Sequence, residues 1–146
     1  MHLGSFDAHD GQTPQHARLL TQLGQALEYF DGLMTTFRLG DQVTTFTASD
    51  FGRTLTSNSD DTDQCWGSRH FVVGGAVHGH DMYGQYPIIG TNQANDVGAG
   101  RLIPTTSVDQ YTGTLAHWFG LSDGQIRQIF PNFANFGTDP YLGFME

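Results

Sequence analysis

The spacing of apolar residues predicts one long amphipathic helix in the first third of the chain. Leucine, alanine, phenylalanine and methionine recur every three or four positions between residues 14 and 38, which places them on one helical face. Thr13 and Pro14 are typical of a helix start, and Gly40 is typical of a helix end. We therefore expect a helix over residues 14–38.

Three other segments have the composition of strands. Residues 3–9 resemble the end of a strand that enters a loop, residues 42–49 are rich in threonine, and residues 71–77 form a short apolar run. β-Branched and aromatic residues favour strands, and a run that is apolar on both faces is typical of a buried strand. The polar residues 52–69 are predicted to form a loop.

Two short helices are predicted in the last third of the chain. Ser107 and Gln110 have the spacing of a capping box, and the helix that they begin is expected to continue through Trp118. Ser122 is a second N-cap, and the helix that follows it is expected to stop at Pro131, because proline lacks the N–H that a helix interior needs.

The order of these elements predicts an α/β layer fold. Three strands are few for a parallel sheet that is covered on both faces, so we expect the sheet to be incomplete. We interpret residues 1–146 as a single partial domain, the C-terminal portion of a larger α/β domain. A self-sufficient three-stranded domain is the alternative.

Charge and composition narrow the classes of function. The 146 residues include six basic residues, all of them arginine, against 15 acidic residues, which gives a net charge of −9. Nucleic-acid binding requires clustered lysine and arginine, so no nucleic-acid partner is expected. No apolar run reaches the length of a membrane span, about 18 residues, and residues 1–10 lack the pattern of a signal peptide. Cys65 is the only cysteine, so we interpret it as an inert thiol.

Acidic and histidine residues occur where predicted strands begin or end. Asp7 and His9 are two residues apart, so in extended chain their side chains point to the same side and can face one metal ion; a turn-and-cap role is the alternative. Asp50 follows residues 42–49, and ligands of open α/β sheets gather beyond the carboxyl ends of strands. Arg53 can hold a phosphate or sulfate through two parallel hydrogen bonds, with a local Asp50–Arg53 pair as the alternative.

Asp63 and His70 bracket the end of the predicted polar loop. They are candidates to complete a metal site with Asp50. The alternative is that Asp63 belongs to a solvated acidic turn with Asp60 and Asp61. His78, His80 and Asp81 form a second cluster, which is interpreted as an exposed turn, with a metal-ligand set as the alternative. His117 is interpreted as a structural residue.

Four segments carry a family resemblance: Leu3–Gln12, Thr47–Thr54, Asp63–Val77 and Arg101–Tyr111. They resemble the last third of bacterial proteins in the domain-of-unknown-function family 1501, within the alkaline phosphatase and sulfatase-like superfamily. The resemblance implies the C-terminal part of an alkaline-phosphatase-like layered sheet with flanking helices. It also implies a periplasmic or extracellular location, because members of the family usually carry an export signal.

The resemblance implies a metal site as well. In the superfamily two divalent metals, commonly zinc or manganese, activate a serine or threonine nucleophile and hold the phosphoryl or sulfuryl oxygens of a small ester. The resemblance makes Arg53 a substrate-binding residue. It implies five metal ligands, which are Asp7, His9, Asp50, Asp63 and His70.

Two positions depart from the pattern that the resemblance implies. Gln64 stands where the family has a histidine after Asp63, and Phe51 stands where the superfamily has a histidine after Asp50. An amide oxygen is a weak ligand that suits calcium better than zinc, so a complete two-metal centre is not expected. Zinc or manganese remains the expected metal of the site, and calcium is less favoured than either. The segment that carries the superfamily nucleophile has no counterpart in this sequence.

Two hypotheses of function follow. The chain is a fragment of a secreted metal-dependent phosphatase- or sulfatase-like hydrolase, with metal-site residues but no nucleophile segment. Alternatively, it is a non-catalytic degenerate or truncated module that binds a partner or self-assembles, because an exposed sheet edge favours pairing with another chain. The second hypothesis predicts a homo-oligomer.

Overall fold

Helices and short antiparallel strands make up the protein, whose computed structural model describes residues 6–146. The elements in chain order are α1 (Gln12–Thr36), β1 (Thr45–Phe46), β2 (Gly52–Ser57), β3 (Thr62–Cys65), β4 (Val72–Val73), α2 (Val108–Trp118) and α3 (Asp123–Ile129). There are also two 3₁₀ helices. Gly40–Gln42 lies between α1 and β1, and Pro131–Phe136 follows α3. The prediction of a chain with both helices and strands is confirmed.

The long first helix is present, but it begins earlier than predicted. Its N-cap is Gly11, in the left-handed conformation with φ of 55°, and Thr13 therefore lies inside the helix. No side chain caps this end. The helix ends at Thr36, so it is shifted by two residues towards the N-terminus relative to the predicted 14–38.

The capping predictions for α2 and α3 are confirmed. Ser107 Oγ accepts a hydrogen bond of 3.1 Å from the Asp109 N–H, and Gln110 Oε1 accepts one of 3.3 Å from the Ser107 N–H. At the start of α3, Gln125 Oε1 accepts a hydrogen bond of 2.9 Å from the Ser122 N–H. These contacts satisfy backbone donors that a helix start leaves without intrahelical partners.

The expectation of buried, parallel strands is wrong for the described residues. They contain two separate two-stranded antiparallel sheets, β1 with β4 and β2 with β3. The predicted strands 42–49 and 71–77 shrink to β1 and β4. The second run ends early because Gly75 donates a backbone hydrogen bond of 3.0 Å to Gly40 and approaches the neighbouring 3₁₀ helix so closely that a Cβ on Gly75 would lie 2.2 Å from Asp41 Oδ1.

The first predicted strand lies partly outside the described residues. Residues 3–5 are not described, and residues 6–9 form no strand.

A hairpin replaces the polar loop predicted over residues 52–69. Gly52 pairs with Cys65, Arg53 with Gln64, and Ser57 with Thr62, and an irregularity separates the last two pairs. Sequence reasoning missed this hairpin because its residues are mostly polar, although threonine favours strands. Gly52 is required by close packing, since a Cβ there would lie 1.6 Å from the Gly67 carbonyl oxygen.

The chain divides into two compact units. The first comprises the described part of Met1–Gly75 together with Pro87–Pro104, and the second comprises Ala76–Tyr86 with Thr105–Glu146. Buried apolar side chains of the first unit are Ala8, Leu19 and Cys65, and those of the second are Ala76, Leu115, Ile126, Phe133 and Phe144. Each unit thus has a small core of its own.

Much apolar surface is exposed, including several large side chains on α1. Leu19 is the one buried residue of this helix, whereas Leu20 and Tyr29 are 51% and 71% exposed, and Phe37, just after the helix, is 62% exposed. Apolar side chains at helical spacing usually pack against another element. None of the helices in residues 6–146 has the length and apolar character needed to cross a membrane.

Candidate functional site

The Asp7 carboxylate is the centre of a polar cluster in the first unit. Its Oδ1 atom lies 3.1 Å from His9 Nε2, 3.1 Å from Arg53 Nη2 and 3.0 Å from Gln64 Nε2. Asp7 and His9 therefore do share one side of the chain, as their spacing predicted. We call Asp7, His9, Arg53 and Gln64 the Asp7 cluster.

The β2–β3 hairpin positions two members of this cluster. Arg53 and Gln64 are direct register partners, and partners across an antiparallel pair place their side chains on the same face. The segment 6–9 lies against that face. The cluster thus depends on a hairpin that sequence reasoning assigned to a loop.

Arg53 holds the segment 6–9 to the hairpin. Its Nη2 donates to the Ala8 carbonyl at 2.7 Å and to the Phe6 carbonyl at 3.3 Å, while Nη1 donates to the Thr62 carbonyl at 2.6 Å. The side chain is only 15% exposed. The guanidinium that the sequence analysis assigned to a substrate is thus engaged by protein oxygens, and its buried Nε has no partner within the described residues.

These contacts favour the charged form of Asp7. The hydrogen bond from Gln64 is the largest cause that lowers the pKa of Asp7 below its ordinary value, and the charges of His9 and Arg53 act in the same direction against partial desolvation. A carboxylate that accepts N–H donors is stabilised in its ionised state.

A second carboxyl group extends the cluster on the other side of His9. Asp61 Oδ2 lies 3.6 Å from His9 Nδ1, and the Asp61 side chain is only 7% exposed. Sequence reasoning offered Asp61 as part of a solvated turn, and its burial was missed. The acidic sequence around it carries no signal that would have distinguished it from its neighbours.

Two more carboxyl groups belong to residues next to His9 and Asp61 in the chain, namely Asp10 and Asp60. Asp60 Oδ2 accepts a hydrogen bond of 2.9 Å from the Gly11 N–H, which lowers the pKa of Asp60. A hydrogen bond and the negative charge of Asp60 raise the pKa of Asp10.

Three of the predicted metal ligands have other surroundings. Asp63 Oδ1 accepts a hydrogen bond of 2.7 Å from Asn58 Nδ2, and because side chains alternate along a strand, it lies on the opposite face from Gln64. His70 Nδ1 lies 3.3 Å from Thr47 Oγ1, and burial lowers the pKa of His70. Asp50 is exposed, in a bend just before β2.

The Asp7 cluster as it stands does not fit a divalent metal. Three N–H groups, one of them on a guanidinium, already surround the oxygen that a metal would use, and Arg53 would repel a cation. Across residues 6–146, no three side chains of histidine, cysteine, aspartate or glutamate are grouped so that they could hold a metal ion.

Cys65 is buried and carries no sign of activation. Burial is the main cause that raises the pKa of its thiol, which opposes formation of the nucleophilic thiolate.

One pentapeptide has a hydrolase spacing but a different structural context. Residues 120–124 read Gly-Leu-Ser-Asp-Gly, which matches the Gly-x-Ser-x-Gly spacing of a nucleophile elbow. An elbow joins a strand to a helix, whereas Ser122 lies between α2 and α3 and its Oγ lies 2.8 Å from Gln125 Oε1. Ser122 therefore acts as a helix cap.

Comparison with protein families gives one match. The model of a family described as a protein of unknown function, DUF1501, matches residues 1–130. Because this match covers most of the chain, the protein belongs to that family. Neither the curated proteins nor the solved structures give a match.

Proposed function

We propose that this DUF1501 protein is a degenerate module of a metal-dependent hydrolase of the alkaline phosphatase and sulfatase type, in which Gln64 replaces a metal-binding histidine. One observation carries the proposal: His9 Nε2 and Gln64 Nε2 both lie within 3.1 Å of Asp7 Oδ1. Position 64 is the position at which the sequence resemblance implies a histidine. The carboxylate, the imidazole and position 64 thus converge on one point.

The ligand chemistry explains why such a site would be inactive. One carboxylate with two imidazoles is a common ligand set of catalytic zinc. A glutamine amide offers no imidazole nitrogen. Here its N–H₂ group donates a hydrogen bond to the carboxylate instead. The proposal therefore assigns the Asp7 cluster a structural role in this chain and gives it no catalytic step.

The expected substrate and location are those of the hydrolases from which the module is proposed to derive. A phosphate or sulfate ester and a periplasmic or extracellular location belong to the proposal through the family resemblance alone. Zinc or manganese is the expected metal of a repaired site. Asp50, Asp63 and His70 are not needed by the proposal, which rests on Asp7, His9 and position 64.

Restoring the histidine tests the proposal. We expect the Gln64→His variant to bind one zinc ion at least about 10-fold more tightly than the unmodified chain, a modest gain because Arg53 stays beside Asp7 and still opposes the binding of a cation. Isothermal titration calorimetry would measure both affinities. Gln22→His is a matched control, because it adds a histidine on the exposed surface of α1.

A second variant separates the proposed site from adventitious binding. Adding Asp7→Asn to Gln64→His should remove the gained affinity, because it removes the carboxylate ligand. Equal zinc binding by Gln64→His and Gln22→His would contradict the proposal. So would hydrolysis of a chromogenic phosphate or sulfate ester by the unmodified chain, if Asp7→Asn abolished it.

Exposed apolar surface supports a second candidate function, that of an association module. Phe30 on α1 and Phe37, the C-cap that follows this helix, are 39% and 62% exposed. Phe37 keeps a helical backbone conformation, and residues seven positions apart on a helix lie on the same face. Burying such a face against another chain would remove apolar area from water, which is the main driving force for association. We propose a homo-oligomer as the form in which this surface is covered.

Sedimentation velocity tests this second candidate. We expect the unmodified chain to sediment as an oligomer, and the double variant Phe30→Ser with Phe37→Ser to sediment as a monomer. Phe119→Ser, at a residue that is 78% exposed in the second unit, is the control and should leave the oligomer intact. A monomeric unmodified chain that unfolds in one sharp transition would contradict the candidate.

A further inference from the structure

The second unit contains a small concave pocket that the proposed function does not use. Its volume is about 270 Å³, and it lies between the end of α2 and the last residues of the described chain. The residues that line it include His117, Trp118, Tyr141, Met145 and Glu146. Three of these residues carry rings, one carries a thioether and one carries a carboxylate.

Contacts with neighbouring side chains hold Tyr141 in place at this pocket. The Tyr141 hydroxyl donates a hydrogen bond of 2.7 Å to Asp123 Oδ1. The Tyr141 ring lies 4.5 Å from the His117 ring and 5.2 Å from the Phe133 ring, centre to centre. Phe133 is almost completely buried, so the phenol ring is fixed against the core of the unit.

The polar groups of the pocket favour a cation over an anion. Glu146 supplies the side-chain carboxylate of the lining, with its Oε1 atom 3.9 Å from His78 Nε2, and the chain as a whole carries a net charge of −9. Thr114 Oγ1 is already engaged, since it donates to the Gln110 carbonyl at 2.7 Å and accepts from the Leu142 N–H at 3.0 Å. The pocket therefore offers aromatic faces and one negative charge to a ligand.

We propose that this pocket binds a small organic cation of the quaternary ammonium class, with Trp118 and Tyr141 facing the alkyl groups and Glu146 neutralising the charge. Aromatic faces attract alkylammonium ions through the quadrupole of the ring. A compact alkylammonium group is small enough for a pocket of about 270 Å³. The proposal concerns the second unit and is independent of the Asp7 cluster.

Tryptophan fluorescence provides a direct readout. The chain has two tryptophans, and Trp66→Phe leaves Trp118 as the sole indole reporter. Titration of this variant with tetramethylammonium chloride at about pH 8, where imidazoles are ordinarily neutral, should change the Trp118 emission with saturation in the millimolar range. Sodium chloride at equal ionic strength and tert-butanol, a neutral molecule of similar size, are the reference titrations and should give no saturable change.

Two matched variants test the role of the carboxylate. Glu146→Gln should weaken tetramethylammonium binding at least about threefold, whereas Glu28→Gln, at the only other glutamate and on the exposed surface of α1, should leave it unchanged. Ligand-observed NMR of the unmodified chain measures the same binding without the Trp66 substitution. It also allows Trp118→Leu to be tested, and that variant should lose the signal while far-ultraviolet circular dichroism stays unchanged.

Several results would overturn the proposal. These are no saturable binding to the unmodified chain by NMR, equal binding of tert-butanol and tetramethylammonium, or equal affinity of Glu146→Gln and Glu28→Gln. Full retention of binding by a folded Trp118→Leu variant would place the ligand elsewhere.

Discussion

Gln64 Nε2 donates a hydrogen bond of 3.0 Å to Asp7 Oδ1, and the two residues are 57 positions apart in the chain. This contact joins the segment before α1 to the β2–β3 hairpin. It also means that the Asp7 carboxylate accepts a hydrogen bond from a neutral amide, at the position where the family resemblance implies an imidazole. Long-range contacts of this kind fix the segment 6–9, which has no regular backbone pairing of its own.

We expect the Asp7 cluster to contribute to stability in a pH-dependent manner. The folded state lowers the pKa of Asp7 below its ordinary value of 3.8, chiefly through Gln64. Such a group adds stability at pH values above 3.8, and this contribution is lost as the pH falls through the lower pKa of the folded state. Asp7→Asn should therefore flatten the acid side of the stability profile and lower stability near neutral pH.

Urea unfolding at a series of pH values would measure this effect. Asp139→Asn, at an exposed position of the second unit, is the control and should keep the acid dependence of the unmodified chain. An Asp7→Asn profile parallel to that of the unmodified chain between about pH 2.5 and pH 6 would show that Asp7 is not a source of the dependence.

Replacing Arg53 by lysine should lower the stability of the protein. Its guanidinium contacts the carbonyls of Phe6, Ala8 and Thr62 as well as the Asp7 carboxylate. A lysine ammonium lacks the planar fork that reaches several oxygens at once, so Arg53→Lys should lower the free energy of unfolding by about 2 kcal/mol. Chemical denaturation would measure the loss. Arg18→Ala, on the exposed side of α1, should change it little, and similar effects of the two variants would contradict the assignment.

Two glycine substitutions should have opposite effects. A Cβ at residue 52 would lie 1.6 Å from the Gly67 carbonyl oxygen, whereas a Cβ at residue 24 would meet no atom within 4 Å. Gly52→Ala should therefore destabilise the protein by about 3 kcal/mol or more, because backbone must move. Gly24→Ala, inside α1, should stabilise it by about 0.5–1 kcal/mol. Thermal and urea unfolding would compare them, and tolerance of Gly52→Ala would contradict the packing of the hairpin.

Tyr141 should ionise late in an alkaline titration. Burial, followed by the hydrogen bond and charge of Asp123, raises its pKa to about 12, and burial alone raises the pKa of Tyr111 to about 12. A raised pKa adds stability below the ordinary value of 10.0, which is lost as the pH rises towards 12. The phenolate absorbance should thus show a late step to which Tyr111 and Tyr141 contribute.

Substitutions assign that late step. Tyr141→Phe should remove one late tyrosine, and Asp123→Asn should move one to lower pH, since it removes the negative charge beside the phenol. Tyr86→Phe, at an exposed residue, should leave the late step unchanged. An unaltered late step in Tyr141→Phe would show that Tyr141 is not one of the two groups.

Local signals in the sequence were sufficient for the helices. The apolar spacing placed α1 to within two residues, and the Ser107–Gln110 pair and Ser122 placed the starts of α2 and α3. Helix hydrogen bonds and capping contacts join residues that are close in the chain, so the information needed to predict them is local. The Asp7–His9 contact is local for the same reason.

Pairings between distant residues were decided only by the tertiary structure. The hairpin of β2 and β3 was hidden by its polar composition, the predicted single sheet is divided into two, and Asp61 is buried beside His9 although its sequence resembles a solvated turn. The sequence by itself determined the helices and the adjacency of Asp7 and His9. The tertiary structure decided which side chains meet them, because strand register and burial depend on contacts between segments that no local pattern encodes.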